Sequence, residues 1–258
     1  MYALRTGLHR LQGSLRTFCY GPDAEKLFAL LKTSCETRET ELDLSHLHLF
    51  DIPRLPDHVT QLCMGGSMNK TTRIRTLPPR LNLLWVSDTG LTSLPVLPPT
   101  LQKCVLQTTK VQELPPLPEA LETLVCHHSP LKSLPPLPGG LHYLSCVHTP
   151  IEQLPPLPSS LQTLYCFHTP LTSLPTLPRS LKWLDCANTA LQTLPTLPAG
   201  LEFLNVANTH IRDLPPLPSS LRTLVTYNTP LLCERKEGES FAEYEVRAKE
   251  RKEMLEGL

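Results

Sequence analysis

Between Leu81 and Leu232 the apolar and polar positions recur with a strict period and no slippage, each unit opening on a leucine: Leu81, Leu101, Leu121, Leu141, Leu161, Leu181 and Leu201. Each unit reads L-x-x-L-x-C/V-x-x-T-x-L-x-x-L-P-x-L-P-x-x, and its positions are numbered as slots 1 to 20. Slots 4 and 6 flank slot 5 with the two-residue period of a strand, so they share the inward face while slots 3 and 5 look outward. Slots 1, 11, 14 and 17 supply further inward apolar residues from the rest of the coil. Proline at slots 15 and 18 lacks an amide donor and fixes φ, so the return segment reads as extended or polyproline-like rather than helical. A looser and slightly longer unit (Val59 to Arg80) precedes the regular ones, with Leu62, Met64, Ile74, Leu77 and Pro78 in equivalent slots. Before it, "ELDLSHLHLFDIPRLP" (Glu41 to Pro56) reads as an opening coil, and Leu221 to Leu232 reads as a last half unit.

A coil of this kind buries its leucines only against its neighbours, so the units must stack in one dimension. The predicted fold class is an α/β repeat: a leucine-rich-repeat solenoid with a parallel concave β-sheet, an extended convex side and about nine coils over residues 39–232. Open ends would expose leucine, so caps are expected. In "PDAEKLFALLKTSCET" (Pro22 to Thr37), Asp23 suits an N-cap, and Leu27, Phe28, Leu30 and Leu31 form an apolar face. This predicts a capping helix over 23–38. Residues 233–258 contain "ESFAEYEVRAKERKEMLEGL", a highly charged helical pattern in which Phe241, Tyr244 and Leu255 are the few large apolar residues. Segment 1–22 holds Arg5, Arg10 and Arg16, no acid, and Leu4, Leu8, Leu11, Leu15 and Phe18 on one helical face. Its composition suits an organelle transit peptide or a basic membrane-surface helix alike.

The short L-P-x-L-P unit, the opening segment "LDLSHLHLFDIP" and the helical lead-in together resemble the bacterial type III secretion effectors of the LPX class, which include the YopM-like scaffolds and the IpaH-type ubiquitin ligases. The resemblance covers roughly residues 22 to 232. It implies a protein secreted by a bacterium into a host cell, with segment 1–22 as a secretion or targeting segment, the host cytoplasm as its place of action and repeats that bind host proteins. Ligase activity is not expected: IpaH-type ligases carry a catalytic Cys-x-Asp, and none of the nine cysteines is followed two places later by aspartate. Slot 9, asparagine in most of the family, is here Thr89, Thr109, Ser129, Thr149, Thr169, Thr189, Thr209 and Thr229. A hydroxyl can take over that ladder of bonds to buried backbone, at typically about 1 kcal/mol per bond.

Composition narrows the function. Most of the 28 prolines fall in register, so they mark the repeat rather than disorder. A formal net charge of zero argues against a grip on nucleic acid or an acidic membrane. No apolar run reaches the roughly 20 residues that span a bilayer. The nine cysteines lack the paired spacing of a disulfide scaffold and read as thiols in a reducing compartment. Cys126, Cys146, Cys166 and Cys186 share inward slot 6 and are expected to stack as small apolar fillers, without forming disulfides or holding a metal. His128, His148 and His168 fill slot 8 of three successive coils, with His127 beside the first. They stand to share a metal or resist joint protonation, unless slot 8 simply tolerates any polar group, as Asp88, Asn188, Asn208 and Asn228 suggest.

Subtracting the scaffold slots leaves seven rings between Asp57 and Leu232: Trp85, Tyr143, Tyr165, Phe167, Trp183, Phe203 and Tyr227. They occupy slots 3, 5 and 7, so the strand geometry predicts an aromatic concave surface suited to protein binding, with Lys103, Lys182, Asp185 and Glu202 setting specificity. The reading is a non-enzymatic protein, without cofactor, that scaffolds or masks a host protein. Its alternative is an adaptor bringing targets to a separate ubiquitin ligase or kinase through the C-terminal helix. An enzyme would have only "MGGSMNKTTRIR" (Met64 to Arg75) for a site, and that stretch is not a Gly-x-x-x-x-Gly-Lys phosphate loop.

Overall fold

The computed structural model describes residues 23–66, 71–231, 239–241, 243, 244, 246, 247 and 250. The chain folds as a parallel leucine-rich-repeat solenoid with a helix near its N-terminal side. It divides after Ala120 into two compact units. The predicted segment 1–22 lies outside the described residues.

The first unit opens with helix α1 (Ala24–Thr37), followed by β1 (Glu41–Asp43), β2 (Asp51–Ile52), β3 (Gln61–Met64), β4 (Arg73–Ile74), β5 (Leu83–Ser87) and β6 (Lys103–Gln107). Strands β1, β3, β5 and β6 pair in parallel in that order, while β2 and β4 make a small second sheet. Helix α1 buries Leu27, Leu31 and Ser34, one face at i, i+4, i+7. Leu30, predicted on that face, is instead 39% exposed, because it lies at the margin of the face, outside Ser34. Asp23 holds the N-cap position without capping the helix through its side chain. Its carboxylate instead accepts the His48 amide at 2.9 Å and meets Lys26 Nζ at 2.7 Å, tying the helix to the coil that follows. Gly65 is explained by packing: a Cβ there would lie 3.0 Å from the Ser87 carbonyl oxygen and closer still to its hydroxyl. Gly66 adopts φ +94°, and a Cβ on it would press on the Ser45 carbonyl oxygen. The irregular stretch thus uses its glycines to lay one coil on the next; residues 67–70 lie outside the described residues.

The second unit contains β7 (Thr123–His127), β8 (Tyr143–Ser145), β9 (Thr163–Tyr165), β10 (Trp183–Asp185), β11 (Phe203–Asn205) and β12 (Thr223–Val225). All pair in parallel in chain order, each residue facing its equivalent in the next repeat: Leu144, Leu164, Leu184, Leu204 and Leu224 form one line. Slots 1, 4, 6 and 11 are almost wholly buried through both units, the last half unit excepted. Each such leucine contributes about 1.5–3 kcal/mol on burial. Slots 14 and 17, predicted to turn inward equally, are half-buried in several coils, Leu154 and Leu157 among them. The proline-bound return segment carries no regular hydrogen-bond ladder, so nothing seals it as the strand seals slots 4 and 6. In the C-terminal stretch the described residues from 241 on are helical. Ser240 and Glu243 close a capping box, and Arg247 forks onto Glu239 with two bonds of 2.7 Å.

Slot 8 has a backbone requirement. Asp88, Thr108, His128, His148, His168, Asn188, Asn208 and Asn228 all have φ between 49° and 55°. The left-handed conformation turns the chain out of the strand, and Asn, Asp and His tolerate it better than other side chains. Slot 8 therefore does not accept any polar group indifferently; it selects residues that can bend left. Behind that turn, the slot 9 hydroxyls of Thr149, Thr169, Thr189 and Thr209 donate to the slot 6 carbonyl three residues back at 2.6–2.7 Å. These slot 9 hydroxyls thus bond buried backbone as expected, each within its own coil, while Thr229 reaches the Val206 carbonyl of the preceding coil at 2.8 Å. The buried hydroxyls of Thr89, Thr109 and Ser129 find no partner among the described residues. Other hydroxyl bonds span a full turn: at slot 20, Thr100, Ser160, Ser180 and Ser220 each donate to the slot 1 carbonyl that opens their own unit, 19 residues back.

The slot 6 cysteines behave as predicted fillers: Cys126, Cys146, Cys166 and Cys186 are at most 1% exposed. Their thiols point to the slot 5 carbonyl of the next coil, at 3.4 to 3.7 Å. The described cysteines, Cys35 and Cys63 included, are all free thiols. Burial pushes Cys104 and Cys146 up to about 12 and raises Cys166 and Cys186 as well, so none supplies thiolate at neutral pH.

Two measurements check this account. Thr108 is β-branched at a left-handed position, so Thr108→Asn is expected to raise stability by about 1 kcal/mol in urea unfolding, and Asn188→Thr to lower it similarly. In alkylation followed by mass spectrometry, Cys104, Cys126, Cys146, Cys166 and Cys186 are expected to react only in denaturant, and Cys35 and Cys63 ahead of them.

Candidate functional site

Because slots 4 and 6 are drawn into the core, slots 3 and 5 of every strand must face out. In the first unit this places Trp85 on β5 at 45% exposure and leaves Lys103 exposed at the start of β6. In the second unit the slot 3 row runs Tyr143, Thr163, Trp183, Phe203 and Thr223, and the slot 5 row runs Ser145, Tyr165, Asp185, Asn205 and Val225. None of the seven rings is buried in the core. Trp183 is 39% exposed and Tyr227 63%, while Tyr143, Tyr165, Phe167 and Phe203 are half-buried.

Strand pairing brings most of these rings into contact. Tyr143 leans on Tyr165 (centroids 5.7 Å), and Tyr165 meets Phe167 edge-on (6.4 Å). Trp183 lies flat on Phe203, 4.2 Å apart and within 8° of parallel. Such pairs each add about 0.5–1.5 kcal/mol beyond their burial and hold the rings in fixed poses. Burial raises the phenols of Tyr143 and Tyr165 above their ordinary value, so both remain hydrogen-bond donors. Lys182 is exposed in slot 2 beside the rings, and Glu202 reaches Arg222 at 3.7 Å. Asp185, half-buried between the rows, accepts the Ala187 amide and the Asn205 side-chain amide, each at 3.1 Å.

The histidines belong to this surface, which the slot pattern alone does not reveal. His128 stacks on His148 (4.3 Å, 15°) and His148 on His168 (4.2 Å, 11°). Phe167 packs edge-on against both His148 and His168. The left-handed turn aims three successive slot 8 side chains in one direction, and the repeat register stacks them. The signal was present in the Asp, Asn and His content of slot 8. Among the described residues no group of three His, Cys, Asp or Glu side chains has a metal-holding arrangement. His127 bonds the Ser145 hydroxyl. In the first unit, the Ser34 hydroxyl lies 3.1 Å from His58 Nε2, but Ser34 is 2% exposed and donates to the Glu39 carbonyl, a structural bond rather than an open nucleophile.

With no protein-family model and no curated protein matching the chain, its likeness is carried by solved structures. The stacked coils and outward aromatic rows define a leucine-rich-repeat protein of the short, proline-bound kind. The structure of YopM, a leucine-rich effector protein from Yersinia pestis, superposes with a TM-score of 0.70 at 30% identity, over 82% of this chain and 67% of that one. The chain belongs to the YopM-like leucine-rich-repeat effectors. A Shigella effector leucine-rich-repeat domain matches at 26% identity over 90% of this chain and 85% of its own, with a TM-score of 0.47. A leucine-rich-repeat protein of Leptospira interrogans shares the fold at 21% identity, over 81% of this chain and 57% of its own, with a TM-score of 0.54.

The histidine stack makes stability sensitive to acid. Burial first, then the neighbouring histidines, lower His148 and His127 below the ordinary value of 6.5. Between the folded and unfolded values the unfolded chain therefore holds more protons, so stability is complete above about pH 6.5 and declines as pH falls through the lowered values. His148→Asn, which keeps a left-handed-tolerant residue in slot 8, is expected to flatten that part of the decline in Tm between pH 7 and 5.

Proposed function

We propose that this protein is a non-enzymatic effector, delivered by type III secretion into the host cytoplasm, whose outward strand face binds a host protein as a scaffold or mask. The observation that carries the reading is the pair of rows built on β7–β12, where large rings stand in fixed poses at positions the core does not use. Exposed aromatics with two rotatable torsions lose little entropy on binding and dominate measured interfaces. The partner-binding residues are then Tyr143, Tyr165, Phe167, Trp183 and Phe203 with Lys182, Asp185, Glu202 and Tyr227 in the second unit, and Trp85 and Lys103 in the first. The YopM-like family membership supports delivery into a host cell and binding rather than catalysis.

Trp183→Ala and Tyr165→Ala test it. Each is expected to leave the circular dichroism spectrum unchanged and to weaken capture of a host-cell protein by about tenfold or more, the scale of an interface hot spot. Capture at wild-type strength by both variants would end the proposal.

A further inference from the structure

Asp185 is the one acid, and the one permanently charged side chain, in slots 3, 5 and 7 of β7–β12. The fold does not need its charge. Asn205, in the same slot of the next coil, makes the same bond to the amide two residues on, Ala207, at 3.1 Å with a neutral side chain. Ser145 and Val225 fill the slot elsewhere with no carboxylate at all. Both donors to Asp185, the Ala187 amide and the Asn205 side chain, are neutral. A carboxylate has about four acceptor sites, so roughly two remain open. No lysine or arginine among the described residues comes within ion-pair distance of it.

The surroundings of that charge are aromatic. Tyr165 is its register partner on β9, and Trp183, held flat by Phe203, precedes it by two residues on the same face. In the slot 3 row the small Thr163 is flanked by Tyr143 on one side and Trp183 on the other. Those flanking strands stand two spacings apart, about 9.6 Å, with only the threonine side chain at the base of the notch between the two rings. Burial raises Asp185 above the ordinary carboxylate value, against its two hydrogen bonds and the nearby His168 imidazole, the mark of a charge left undercompensated.

We propose that this notch receives one basic side chain, arginine in preference to lysine, from an extended segment of the partner protein. A guanidinium is planar, stacks on aromatic faces and offers a carboxylate two parallel N–H donors, which an ammonium does not. The occupant is thus a partner that supplies the cation the strand face lacks. This inference rests on the outward face being a docking surface.

The test uses the full chain and heptapeptide pools, randomised except for a central arginine, lysine, citrulline or glutamate, with binding read by fluorescence anisotropy. Citrulline keeps the shape of arginine without its charge. The arginine pool is expected to bind at least about tenfold more tightly than the citrulline pool, with lysine between them. Asp185→Ser, which copies Ser145 of the same slot, is expected to melt like the wild type and to erase the preference, while Trp183→Ala weakens binding of every pool. Arginine and citrulline pools binding alike, or a preference that survives Asp185→Ser, would overturn the basic partner; if Trp183→Ala still weakened binding, the docking face would stand. No binding by any pool, or binding indifferent to Trp183→Ala, would overturn both.

Discussion

Within each unit, the coils pair their strand backbone and bury their apolar side chains on the coil one repeat away, and everything else in the molecule follows from that pairing. The amides of slots 2 and 3 share the slot 2 carbonyl of the preceding coil, as Gln162 and Thr163 do with His142 at 2.8 and 3.1 Å. The slot 6 amides of Cys146, Cys166 and Cys186 reach the slot 5 carbonyl of the following one. A lone coil would leave these groups unpaired and its leucines wet, so stability is a sum over neighbours rather than a property of any coil. So short a repeat suffices because proline keeps the return segment extended, and a helix on that side would need a longer unit.

The same register has a second consequence. Whatever stands in a given slot is copied into a row, and rows make surfaces. Cysteine in slot 6 becomes a buried column whose thiols lean on the next coil's backbone. Histidine in slot 8, admitted because the chain bends left there, becomes a stack of imidazoles. Neither row was required by the scaffold, since Val206 and Asn208 serve the same two slots in a later coil. The scaffold sets the class of residue each slot can bear, and the remaining freedom goes to chemistry.

That freedom is used most heavily on the outward rows of β8–β11. Tyr143, Tyr165, Trp183 and Phe203 project from slots that Thr163 and Val225 fill in neighbouring strands of the same sheet. The rings brace one another, and among them Asp185 holds a charge its own hydrogen bonds do not require. The thiols beneath this surface are buried and protonated, so its chemistry is that of the rings, the histidine stack and one carboxylate.

Much of this was legible in the sequence. The strict period placed the leucines of slots 1, 4 and 11 inside though it overstated slots 14 and 17, the Leu-Pro-x-Leu-Pro run excluded helix from the return segment, and the strand alternation put Trp183 and Tyr165 outside and Cys166 inside. These properties are local or periodic, so one chain read in phase reveals them. Other features needed the fold. Asp23 looked like a helix cap but ties α1 to His48, Leu30 looked buried but is not, and which carbonyl each slot 9 hydroxyl takes, slot 6 of its own coil for Thr149, Thr169, Thr189 and Thr209, is set by the turn. The flat pairing of Trp183 with Phe203, the imidazole stack and the isolation of Asp185 depend on which atoms equivalent residues of adjacent coils present to each other. Sequence alone determined the period and the facing of each slot; only tertiary structure decided the contacts, because side chains choose their rotamers and partners after the coils have stacked.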